Sequence, residues 1–265
     1  MAEQHPQSTE EASEIETIKI KRTLWMRIRD VVLGIGFVII SIGTFNDFKD
    51  VIGFAYENFI THFTDEVEFE KLAEVSVGAN PEYLEQVFGV ARLIKASRVD
   101  DSLEYRYYDN DKFLLGLAVE KGRVRGYLVT SMRAEFLPQI SFSDRALGTA
   151  NFATLNTFNG QFTTDNTNLV YYLEGQQMGR QGLFLNRYIG YLDYAATYPN
   201  HEQTLTDISA LNDDLVLGAE EQVVQRIDNL RSRSHPNFYV IGDFAIETAA
   251  DMALTRFEYQ AYFGD

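Results

Sequence analysis

Apolar and polar positions change period several times along the chain, and each change marks an element. From Val31 to Phe45 the run is apolar and uncharged, and Leu24, Trp25, Met26 and Ile28 extend it on the N-terminal side. A hydrocarbon core needs about 20 such residues, so the extended run reads as one membrane-spanning helix. Ile52, Ala55, Phe59 and Phe63 then share a helical face, which predicts a stalk. Asn80 suits an N-cap and Pro81 a first helical residue, with Tyr83, Leu84, Val87, Phe88, Ala91 and Ile94 on one face beyond them. After Asp100-Asp101 the period drops to two, with Leu103, Tyr105 and Tyr107 alternating with Glu104, Arg106 and Tyr108. Turns at Asp109-Asn110-Asp111 and Lys121-Gly122 separate two further strands, Phe113–Glu120 and Arg123–Thr130, so a helix leads into a three-stranded meander.

The second half is less regular. Phe136-Leu137-Pro138 and the stretch 149–168 suggest short strands and loops, and Leu169–Glu174 a strand. Leu183–Tyr198 reads as a helix, with Phe184, Tyr188, Leu192 and Ala195 in register. Two more helices are predicted at Leu205–Leu217 (Leu205, Ile208, Leu211 and Leu215 inward) and Ala219–Arg233. The latter opens on Glu220-Glu221 and closes on Arg231 and Arg233, as the helix dipole favours. Asn237–Gly242 reads as a strand, and 244–263 fits helix or strand. Strands and helices do not alternate as βαβ units, which favours α+β: an N-terminal transmembrane helix followed by an antiparallel-sheet and helix domain. The organisation expected is a disordered acidic tail (1–18), a basic flank and anchor (19–48), a juxtamembrane stalk helix (49–70) and an α+β domain (71–265). That domain divides into the helix and meander of 77–131 and a mixed part, 132–265.

Charge orients this picture. The chain carries a net charge of -16, yet its first 29 residues cancel. Lys19, Lys21, Arg22, Arg27 and Arg29 precede the apolar run, so the positive-inside rule places the N-terminus in the cytoplasm and the acidic domain outside. Arg27 and Arg29 can snorkel to the interface, where Trp25 also belongs. Gly36 and Gly43 share a helix face and would let two anchors approach, making a homo-oligomer or protein partner through anchor and stalk an expectation beside the lipid bilayer itself. Two other readings of the run stand: a signal peptide cleaved after Ser41-Ile42-Gly43, and a buried helix of a soluble domain. So acidic a domain repels phosphate backbones, which excludes nucleic acid as a partner, and it would be repelled by anionic lipid heads if it lay flat on them.

Several chemistries are excluded outright. With 0 Cys there is no disulfide, thiolate metal site, Cys nucleophile or lipidated N-terminal Cys. The absence of an Asn-x-Ser/Thr sequon leans toward a bacterial envelope, hence an inner-membrane protein with a periplasmic or extracellular domain. His5, His62, His201 and His235 have no metal-ligand spacing, so neither metal nor cofactor is expected. No nucleophile-elbow, phosphate-loop or dinucleotide motif occurs. Asp109-Asn110-Asp111 and Asn212-Asp213-Asp214 read as turns. One loop stands out: Gly179, Arg180 and Gly182, just before the predicted Leu183 helix, would present backbone N–H groups and a guanidinium to an anion. The plain alternative is a Gly-rich turn with a surface Arg.

Two resemblances follow from these residues. Val77–Gly89 with its meander resembles the helix-plus-hairpin units of small envelope lipoproteins of the barrel-assembly type, without their lipidated Cys. The whole plan resembles a family of single-pass bacterial membrane proteins, the ETEC-domain proteins. The likeness lies in the anchor, the Asn80–Gly89 helix, the Glu104–Thr130 meander, Gln139–Gly148, and Tyr171-Tyr172-Leu173-Glu174 leading into Gly179, Arg180 and Gly182. The resemblance implies an anchored envelope protein and transfers no activity to any residue. Three functions are therefore expected: a membrane-anchored extracytoplasmic binding module, a carboxylate- or metal-dependent hydrolase, or a membrane-acting defence or stress effector that oligomerises through its anchor. The first requires an exposed aromatic groove or sheet edge and no convergent titratable cluster, the second converging carboxylates, the third association through Gly36 and Gly43.

Overall fold

The computed structural model describes residues 65–264. The tail, the anchor residues Trp25, Arg27, Arg29, Gly36 and Gly43, and residues 49–64 of the stalk lie outside the described residues. No described helix is long and apolar enough to cross a membrane.

Eight strands form one antiparallel sheet in the order β1-β2-β3-β4-β8-β7-β6-β5. They are β1 Leu93–Ala96, β2 Glu104–Asp109, β3 Phe113–Glu120, β4 Arg123–Ser131, β5 Phe162–Asp165, β6 Tyr171–Gln177, β7 Asn186–Leu192 and β8 Phe238–Gly242. Among the described residues seven α-helices accompany it: α1 Glu66–Ala73, α2 Pro81–Phe88, α3 Phe152–Leu155, α4 His201–Leu217, α5 Glu220–Arg233, α6 Ile246–Asp251 and α7 Arg256–Tyr262. The class is α+β, and the sheet is a middle layer. On one face Leu84 of α2, Phe152 of α3, Ile208 and Leu211 of α4, and Ile227 and Leu230 of α5 pack against Phe113, Leu115, Tyr172 and Ile189. On the other, Ile246 and Ala249 of α6 and Met252 and Leu254 beyond it pack against Tyr107, Leu114, Leu128, Phe238 and Val240. Alternate residues of each central strand enter different cores, which is why β3 and β8 read as almost unbroken apolar runs.

Local chemistry explains most boundaries. The Asn80 side chain accepts from Glu82 N at 3.0 Å and caps α2. That helix ends at Phe88 because Gly89 turns the chain at φ 85°, so the expected extension to Ile94 does not form and Leu93–Ala96 becomes edge strand β1. The predicted helix at Leu183–Tyr198 is also corrected: Asn186–Leu192 is strand β7, paired with both β6 and β8. Its apolar residues serve two faces, so their apparent helical spacing carries no periodic meaning. Residues 244–263 resolve into α6 and α7, the latter closed by a capping box between Thr255 and Glu258.

Strand β8 is stitched in by one side chain. Buried Asn237 accepts from Leu192 N at 2.8 Å and donates to Leu192 O at 2.8 Å and Ala196 O at 3.2 Å. Its own backbone continues the ladder, with Asn237 N donating to Gly190 O at 2.9 Å and its carbonyl accepting from Ser131 N at 2.9 Å.

Two buried carboxylates tie the helical layers to the sheet. Glu174 on β6 accepts from Arg231 Nε of α5 at 2.8 Å, Tyr172 OH at 2.8 Å and Asn156 Nδ2 at 2.9 Å. Burial pushes this carboxyl above the usual range, and its three donors pull against that. Asp251 at the end of α6 accepts from Ser97 Oγ at 3.0 Å, Arg98 N at 2.9 Å and Arg98 Nε at 2.6 Å. Burial opposes its ionisation, but the Arg98 N–H, the guanidinium and the Ser97 hydroxyl outweigh it and hold the carboxyl below its ordinary value.

These contacts give two expectations. Asn237→Ala leaves two carbonyls and one N–H of the β7 end without their partner. It should lower unfolding free energy by about 3 kcal/mol, read as a lower urea midpoint at unchanged slope. For Asp251 the folded pKa is depressed, so its contribution is complete above the unfolded value of about 4 and is lost as pH falls through the folded value. Asp251→Asn should therefore cost about 1.5–3 kcal/mol at neutral pH. The gap to the native chain should shrink as pH falls below about 4, and urea titrations showing a constant gap would refute the assignment.

Candidate functional site

The helical layer on the α2 side leaves a gap at one end of the sheet. Tyr127 of β4 and Tyr239 of β8 form its floor, their rings edge to face at 6.4 Å. The two strands are neighbours, and Tyr127 and Tyr239 stand two residue pairs apart in their register, so both rings point to the same face. One wall is α1 and the segment after it, through Phe69, Leu72 and Val77. The opposite wall is the loop from Leu137 to Phe142, and Leu183 and Leu185 of the β6–β7 hairpin complete the rim. The cavity volume is about 610 Å³.

Its lining is apolar and uncharged: no Asp, Glu, His, Lys or Arg is among the described residues that border it. Polar atoms come from Ser76, Gln139, Ser141 and the two phenols, with Tyr239 OH lying 3.3 Å from Ser141 Oγ. Burial pushes both tyrosine hydroxyls up, so they stay neutral and act only as hydrogen-bonding groups. Phe69 of the wall stacks on Phe136 at 5.0 Å, and Phe136 on Phe113 at 5.7 Å.

The rim is strained where the rest is regular. Phe142, Leu183 and Phe184 have φ of 59°, 57° and 61°, the left-handed region that bulky side chains avoid. Local bonds hold them there. Phe184 N donates to Gly179 O at 2.7 Å and Leu185 N to Gly182 O at 3.0 Å, while Arg187 Nη1 donates to Phe142 O at 3.2 Å. The side chains face outward: Phe142 is 51% exposed, and Leu183 and Phe184 are each 71% exposed.

The predicted ligand loop is part of this rim. Gly179, Arg180 and Gly182 form the tip of the β6–β7 hairpin, with a single 3-10 turn at Arg180–Gly182 and β7 beyond it. No α-helix follows, so the helix N-terminus invoked for an anion is not there. The loop instead delivers Leu183 and Leu185 to the cavity. The floor tyrosines and α1 went unread as a site because each looks like ordinary core in sequence. The one legible signal was Leu183-Phe184, an apolar pair directly after a Gly-rich turn where polar residues are the rule.

Titratable groups elsewhere are partnered or scattered. His201 bonds to the Tyr191 hydroxyl, and His235 lies on the separate α5–β8 connection. Arg256 pairs with Asp193 at 2.8 Å. Among the described residues no group of three or more His, Asp or Glu is arranged to hold a metal ion.

No family model matches the chain, and no curated protein matches it. Among solved structures, that of a "putative beta-lactamase inhibitor protein" from Streptococcus mutans aligns at 11% identity and a TM-score of 0.23. The alignment covers 49% of this chain and 90% of that one. At so low a score the likeness carries no argument about fold, ligand or partner.

Proposed function

We propose that the domain is a binding module for a neutral, mainly apolar small molecule, held in the cavity over Tyr127 and Tyr239. The observation that carries this reading is an apolar cavity of about 610 Å³ bordered by no charged side chain among the described residues. Ligand sites typically enclose about 300–1,000 Å³, apolar with a few placed polar groups, and Ser141 with the two phenols supplies such groups here. A charged ligand would lose its hydration with no counter-charge to meet it, whereas a neutral one gains burial at little polar cost. The sequence adds the setting: an N-terminal anchor beside the bilayer and a domain on its outer side, as the basic flank implies. A hydrolase would need reacting groups at this cavity, and its described lining offers none beyond neutral hydroxyls.

Photo-labelling of the full chain tests this. A neutral long-chain alcohol bearing a diazirine should attach within peptides containing Phe69, Leu137–Phe142 or Tyr239, as read by mass spectrometry. Ala73 lines the cavity from an exposed position on α1, so Ala73→Trp can fill the space without disturbing the core. That substitution should reduce labelling of these peptides by about tenfold, equivalent to about 1.4 kcal/mol of lost binding. Labelling that is absent from them, or indifferent to Ala73→Trp, would sink the reading.

A further inference from the structure

The rim of the cavity does more than border it. Leu183 and Phe184 project from the hairpin tip and Phe142 from the neighbouring loop, all in left-handed backbone, with little packing in return for the strain. Local hydrogen bonds hold the backbone there, but large apolar side chains left this exposed on strained backbone point to a contact outside the fold. The charge around the tip is also unlike the rest of the chain. Residues 175–192 contain Arg180 and Arg187 and no Asp or Glu, in a sequence holding 39 acidic side chains. Residues 136–143 of the facing loop are likewise free of acids, and exposed Asp144 just beyond them lies 3.8 Å from Arg145. Arg187 is tied to Phe142 O and Gln176, while Arg180 is exposed and makes no ion pair with any described residue.

We propose that Phe142, Leu183 and Phe184 insert into the interfacial zone of an anionic phospholipid bilayer, with Arg180 and Arg187 beside the headgroups. This is where apolar tips ringed by arginine are stable. The acidic domain cannot lie flat on such a surface. It can touch it through this tip, because charges elsewhere on the domain are screened beyond about 10 Å. A protein partner fits less well: three projecting side chains fall far short of the roughly 800 Å² per partner that a stable interface buries. Leu183 belongs to both the tip and the cavity, so the bilayer is also the source from which an apolar ligand reaches Tyr127 and Tyr239. That last step rests on the binding reading above; insertion of the tip does not.

The test uses the full chain with Trp25→Phe, which removes its 1 Trp, and Phe184→Trp as reporter. Phe257→Trp, on α7 at the opposite face of the sheet and 78% exposed, is the control. Vesicles of phosphatidylcholine and phosphatidylglycerol, with the phosphatidylcholine brominated along its acyl chains, quench only an indole that enters the bilayer. The Phe184→Trp indole should shift to the blue and be quenched several-fold more than the control. Arg180→Glu should weaken the effect, as should omission of phosphatidylglycerol. Far-UV circular dichroism confirms that each variant is folded. Equal quenching of both indoles, or none at position 184, overturns the proposal. So does a spectral shift that follows protein concentration and not lipid, which would assign the tip to a second copy of the chain. Retained photo-labelling of the cavity alongside an unquenched tip would remove the membrane contact and leave the binding reading intact.

Discussion

The insertion of β8 between β4 and β7 is the constraint from which the rest of the domain follows. Without it the chain would hold two separate meanders, β1 to β4 and β5 to β7, each with an open inner edge and half a core. Strand β8 pairs with both. It arrives late in the chain, so its ladder bonds join residues about 50 to over 100 positions apart, and the loop entropy must be met by strong local terms. Asn237 supplies one such term at the start of the strand. Another is close packing across the seam: Gly126 pairs with Gly242, and the Phe244 ring lies where a Cβ on either would sit. The floor of the cavity depends on the same event, because Tyr239 reaches Tyr127 only once β8 is in place.

This dependence also separates what the residues disclosed from what they concealed. The α+β class, the capped start of α2 and the alternating strand β2 were legible because each is signalled within a few residues. The edge strand β1 was hidden by Ala91 and Ile94, which continue the α2 face by spacing although Gly89 has already broken the helix. Strand β7 was hidden for a deeper reason. Helical and strand periods can be told apart only when one face is exposed, and from Tyr188 to Leu192 every residue is buried. The position of β8 in the sheet was beyond any local signal.

The distribution of charge gives the functional reading its shape. Buried ionised groups are costly unless well partnered, and here they hold layers together: Glu174 and Arg231 join β6 to α5, and Asp251 and Arg98 join α6 to the end of β1. Each is occupied by its neighbours, so neither offers a free reacting group. Lys112, at the turn into β3, ties α1 to the sheet through Asp65 at 2.8 Å and Glu68 at 2.9 Å, and the cavity lies between α1 and the sheet with no charged side chain among its described lining. A ligand seated in an apolar space of that size would make dispersion contacts along its lining and stabilise the folded chain by mass action.

The strained rim belongs to the same logic. Left-handed backbone at Phe142, Leu183 and Phe184 turns three large apolar groups toward solvent, where each exposes surface that folding usually hides. Any substitution to Gly or Asn there would relax the backbone, so the bulky residues are the locally unfavourable choice. Such a choice costs stability twice, in backbone energy and in exposed area. The cost is offset only when the side chains enter an apolar medium. Because the residues that project outward adjoin those that line the cavity, one contact at the tip would bring the cavity mouth to that medium. Leu183 of the β6–β7 hairpin and Phe142 of the facing loop thus belong to both the exposed rim and the lining of the cavity.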